Sequence, residues 1–153
     1  MVVWLNASMT NASHPLFRFA ACRRAASAVE FAMLLPVFLI IVFGIVTFGS
    51  YLAVVHGVQQ LAAEAARSSI AGLSDSERSS LAAGYVSANA TSYPLIDKAN
   101  LTVNAATSAA SNKVFVVTVN YDASHMFIYS LPTFVPMPSP SIVRSAAIPF
   151  GGY

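Results

Sequence analysis

The sequence predicts a membrane-anchored α+β protein. A long N-terminal transmembrane helix extends into an amphipathic helix, followed by a small exported domain with one helix and a short antiparallel sheet. Three observations carry this reading. Residues 31–55 contain no charged side chain. Beyond them the apolar positions keep helical spacing to about residue 72, and from about residue 100 the period falls to two.

The apolar run is long enough to matter. As a helix rising about 1.5 Å per residue it would measure roughly 37 Å, more than the ~30 Å hydrocarbon core of a bilayer. A secretory signal peptide has an apolar core of only about 7–15 residues, so the run reads as a span. Composition agrees, with 56% hydrophobic and 9% charged residues against about 25% charged in ordinary soluble domains. A net charge of +2 gives no footprint for nucleic acid. Arg18, Arg23 and Arg24 precede the span, and the next Lys or Arg is Arg67. The positive-inside rule therefore puts the N-terminus in the cytoplasm and exports the C-terminal part. Arg23 and Arg24 are the topology determinants.

Taken in order, residues 1–25 read as a cytoplasmic leader without sustained periodicity. Within it Cys22 is the only cysteine, so no intrachain disulfide can form. Residues 26–55 form the transmembrane helix, which tolerates Pro36 because the membrane setting favours helix throughout. Gly49, Ala53 and Gly57 recur at four-residue spacing, a small-residue ridge suited to helix–helix packing. The exported part, residues 56–153, begins with helix 56–72, where Val58, Leu61, Ala62 and Ala65 form the apolar face and Gly72 the stop. Ser74 opens a second helix, residues 74–90, with Glu77 positioned to complete a capping box. Strands follow at about 100–106 and 113–121, joined through Ser111-Asn112-Lys113 as a hairpin. Pro132, Pro136, Pro138 and Pro140 exclude helix and central strand, so a crossing loop leads to a third strand at 141–148.

No pattern of catalytic chemistry is present. His14, His56 and His125 lack the paired spacing of a metal site. There is no GxSxG, phosphate loop or dinucleotide turn. Asp97 and Asp122 sit in turn contexts, and Glu64 with Arg67 reads as a solvated surface pair. Neither an enzyme nor a cofactor, metal or small-molecule substrate is expected. The residue that asks for an explanation is Glu30, a carboxylate just inside the apolar edge, where charge is costly.

The stretch RRAASAVEFAMLLP, residues 23–36, resembles the start of TadE-like proteins, minor pseudopilins of the tight-adherence (Flp-type) pilus assembly system. The likeness continues through Phe43-Gly44-Ile45, Phe48-Gly49 and VQQLAAEAARSSIAG, and in pattern through VFVVTVNY and SIVRSAAI. The resemblance implies a single-pass protein of the bacterial inner membrane that acts in pilus assembly, cell adhesion or secretion. Its partners would be other pilin-like proteins and a prepilin peptidase. In that family type the peptidase cuts after a small residue, usually Gly, leaving Glu as fifth residue and an aromatic after it. Carried over, the processing site is Ala25–Ala26, with Glu30 and Phe31 as recognition and assembly residues. This chain departs by having Ala25 where Gly is usual. The alternative is an uncleaved anchor whose exported domain binds another envelope protein.

Overall fold

The computed structural model describes residues 23–110, 113–130 and 136–150. Most of the leader expectation, including Arg18 and Cys22, lies outside these residues, as does the Ser111-Asn112 part of the hairpin turn. The chain divides into two compact units, residues 1–42 and 43–153.

Helix α1, Arg23–Ser69, is 47 residues long. It continues through Pro36, and its apolar stretch makes it a helix long and apolar enough to cross a membrane. In the first unit its large side chains are exposed all round: Val29, Phe31, Met33, Leu34, Val37, Phe38, Leu39, Ile40 and Ile41. A helix apolar on every side has the character of a membrane span or of a helix buried in a large core.

The second unit is the α+β part. Helix α2, Asp75–Asn89, is followed by 3-10 turns at Ala90–Ser92 and Lys98–Asn100. Strands β1 (Leu101–Thr107), β2 (Val114–Asp122) and β3 (Ser141–Pro149) form an antiparallel sheet in the order β1-β2-β3. Register pairs Val103 with Val119 and Val117 with Ala146, so alternate residues of all three strands share one inner face. On that face Phe115, Val117, Val119, Tyr121 and Ile142 are buried. They join one core with Val54, Val58, Leu61, Ala62, Ala65 and Ala66 of α1 and with Ala82 and Val86 of α2. The sheet alone could not bury this face; the outer turns of α1 supply the apolar cover it lacks.

Three local readings are modified. First, α1 ends at Ser69 rather than at Gly72. Its last turn tightens, with Ile70 N–H donating to Arg67 and Gly72 N–H donating to Ser69, so the final carbonyls find donors three residues on. Gly72 is still required, because a Cβ there would lie 2.7 Å from the backbone nitrogen of Arg78. Second, Ser74 caps α2 by accepting from Glu77 N–H at 3.2 Å, but Glu77 reaches back to Leu73 N–H at 2.9 Å, one residue before the cap. Third, Val54 and Val55, the last residues of the charge-free run, are buried in the domain core. The charge-free run thus ends inside the folded domain.

Side-chain bonds tie α2 to the sheet. Ser79 Oγ donates to the Ala105 carbonyl at 2.9 Å, and Thr107 Oγ1 donates to Asp75 Oδ2 at 2.8 Å. Asp75 also holds Arg78, whose guanidinium lies 3.9 Å from the centre of the Phe150 ring. Asp97 and Asp122 close Asx turns on Ala99 and Ser124. The bond from Ser124 N–H, then that from its hydroxyl, holds the Asp122 carboxyl below its ordinary range.

Candidate functional sites on helix α1

The N-terminal boundary is built by helix geometry alone. Residues 25 and 26 fall in the first turn of α1, where the opening N–H groups have no intrahelical acceptor. Glu30 is exposed on the same helix, and Phe31 is 64% exposed. Positions 30, 34, 37 and 41 follow helical spacing and so share one stripe. Glu30 heads that stripe, and Leu34, Val37 and Ile41 behind it are all exposed. A single carboxylate is therefore presented at the end of an uninterrupted apolar track. For Arg23, Arg24 and Ala25 only the helical backbone is described.

The small-residue ridge is divided by the fold. A Cβ added to Gly49 would meet nothing within 4 Å, and Ala53 is exposed. Gly57 is different: a Cβ there would sit 2.8 Å from Ile96 Cδ1 and 3.3 Å from Tyr93 Cδ1. Its missing side chain admits the segment after α2 of the same chain. Gly49 and Ala53 remain open to another helix.

Next to the ridge, Tyr51 fastens the proline-rich segment to α1, and Tyr129 ties the same segment to the 3-10 turn Phe127–Ser130. Tyr51 Oη donates to the Ser139 carbonyl at 3.2 Å, and Tyr129 Oη donates to the Pro138 carbonyl at 3.0 Å. Burial, then the neighbouring Tyr51, pushes the Tyr129 phenol above its ordinary range. Burial likewise raises Tyr93, with Tyr85 and Glu64 adding to it. Neither tie is legible from periodicity: the first joins residues 88 apart in the chain, and the second closes a turn through the proline segment.

One further concavity is absent from the sequence reading. A cleft of about 440 Å³ is lined by residues including Leu95, Ile96, Asp97, Lys98, His125 and Met126. Its floor is set by Tyr121, whose hydroxyl donates to the Leu95 carbonyl at 3.2 Å and accepts from Asp97 N–H at 3.4 Å. Those bonds hold Leu95 at φ 70°, a conformation that costs a non-glycine residue about 1–2 kcal/mol. Among the described residues no group of three His, Cys, Asp or Glu side chains is placed to hold a metal ion.

Comparison with known proteins bears on the N-terminal part. Neither curated proteins nor solved structures gave a match. A family model did: residues 25–67 match the family described as TadE-like protein. The matched segment covers the position after Arg24, Glu30, the exposed apolar stretch, the small-residue ridge and α1 almost to its end. Over residues 25–67, which make up most of helix α1, this chain is similar to TadE-like proteins.

Proposed function

We propose that the protein is a non-enzymatic, single-pass pseudopilin-like component of a tight-adherence (Flp-type) pilus or a related secretion machine. It sits in the bacterial inner membrane with its N-terminus cytoplasmic and its α+β domain exported. The observation that carries this reading is the TadE-like match over residues 25–67, which falls on the helix that presents Glu30 at the head of an exposed apolar stripe.

The chemistry follows from the cost of that carboxylate. An unpaired charge at mid-membrane costs about 2.5–3.5 kcal/mol, and less near the edge. Cleavage between Ala25 and Ala26 by a prepilin peptidase creates an α-amine four residues before Glu30. In an assembly, the amine of one subunit pairs with Glu30 of its neighbour and offsets part of that cost. The scissile bond lies in the first helical turn, where unwinding forfeits few backbone bonds. Gly49 and Ala53, open on the helix surface, give neighbouring helices a place to approach.

The test is Glu30→Gln in the full-length chain. The variant is expected to reach the membrane at the wild-type level and to fail in pilus assembly. Assembly at the wild-type level overturns the proposal.

Ala25 favours a second reading. With Ala in place of the usual Gly, the peptidase is denied its preferred residue, and the chain stays an uncleaved anchor whose exported domain binds an envelope partner.

A further inference from the structure

The segment that bonds to Tyr51 is unusual in its polar groups. The carbonyls of Pro138, Ser139 and Pro140 accept from Tyr129 Oη, Tyr51 Oη and Ala123 N–H respectively. Pro136, Pro138 and Pro140 have no N–H to donate. Ser141 N–H is turned onto Ser139 Oγ at 3.4 Å. The backbone here has been relieved of much of its need for water, which is what a poorly hydrated environment demands. The chain also carries no charged side chain from Met126 to Val143. Pro136 and Pro140 are nonetheless exposed, and Met137 is half-buried.

Position along α1 says what lies against this surface. A hydrocarbon core of ~30 Å takes about 20 helical residues. Counted from Phe31, where the charge-free run opens, it ends at Ser50. Tyr51 therefore stands in the headgroup layer, which adds roughly 5–7 Å on each side of the core and is where tyrosines concentrate. A hydrogen bond of 3.2 Å brings the Ser139 carbonyl to the same level. Thr47, one turn deeper, is only 3% exposed although Val46 and Phe48 beside it are 45% and 41% exposed. The α1 surface is thus covered at Thr47, at a depth that belongs to the membrane.

We propose that residues 136–140 form a membrane-contact surface, seated in the headgroup layer of the bilayer that α1 crosses, with lipid as its partner. This inference rests on the reading of α1 as a span. Its polar backbone faces inward to Tyr51, Tyr129 and Ala123, while Pro136, Pro140 and the uncovered part of Met137, which also packs on the domain core, meet lipid. Together with α1 it gives the exported domain a second point of attachment.

Indole fluorescence tests it in the full chain, reconstituted in two sets of phospholipid vesicles, one with bromines on the acyl chains near the headgroup and one with bromines near the chain ends, so that every depth of the bilayer is read. Trp4→Phe removes the only native tryptophan. In that background Ile40→Trp, within the apolar stretch, reports on the span. Met137→Trp reports on the segment, and Pro136→Trp, at an exposed position, does so with less demand on packing. Asn104→Trp reports on the exposed outer face of the sheet. Bromolipid is expected to remove most of the emission from the indoles at 40, 136 and 137, and aqueous iodide to quench only that at 104. An unquenched indole at 40 defeats the span reading itself. With the indole at 40 quenched, iodide quenching at 136 and 137 overturns the membrane contact alone. Protection from both quenchers there, as a covering protein would give, overturns it too. Bromolipid quenching at 104 also overturns it, because the segment would then not be singled out.

Discussion

At the scale of single residues, small side chains do two different jobs in α1 and the turn after it. Gly72 reads in the sequence as a helix stop, a role glycine fills through backbone freedom. The structure gives it another reason: the start of α2 passes so close that a Cβ would meet Arg78 N at 2.7 Å and Arg78 Cα at 3.0 Å. Backbone cannot yield as a flexible side chain can, so Gly72→Ala is expected to destabilise the domain by about 1–3 kcal/mol. Thermal unfolding of the full chain in detergent checks this, and an unchanged midpoint would show that the turn relaxes freely. Gly57 is less strict, since the contact at 2.8 Å is the end of the Ile96 side chain. Arg78 was not legible at all. Its side chain is 12% exposed, held by Asp75 and stacked on Phe150, a pairing that only tertiary closure creates.

At the scale of elements, periodicity explains most of what the sequence revealed. The two-residue alternation of Leu101, Val103 and Ala105 became the half-buried face of β1, and the β-branched run became the central strand β2. The helical spacing of Val58, Leu61, Ala62 and Ala65 became the buried stripe of α1. What periodicity could not show is which element covers which. Leu61 is fully buried in a core drawn from α1, α2 and the sheet. Leu61→Ala is therefore expected to cost about 2–5 kcal/mol, a fall of roughly 10 °C or more in the unfolding midpoint of a domain this size. Circular dichroism during a thermal melt reads it. A shift of only a degree or two would mean that α1 is dispensable to the domain. Likewise, four-residue spacing suggested one ridge at Gly49, Ala53 and Gly57, yet Gly57 packs against Ile96 and Tyr93 of its own chain. Spacing alone does not reveal whether a neighbour comes from the same molecule.

At the scale of the molecule, α1 serves both units of the chain. Its first half is clothed in exposed apolar side chains with Glu30 at their head, and its second half is the wall of the domain core. The TadE-like match coincides with this helix and stops near its end. The anchor was legible because a charge-free run and a cationic flank are local signals. The cleft at Leu95 and the bond from Tyr51 to the proline segment were not, since each joins residues that are distant in sequence. On the proposed function this helix enters the membrane as a prepilin-type segment and is trimmed at its cytoplasmic end. Intact-mass measurement of the protein recovered from bacterial membranes tests that claim most directly. A chain beginning at Ala26 is expected; a chain that still carries residues 1–25 in full would contradict the proposal.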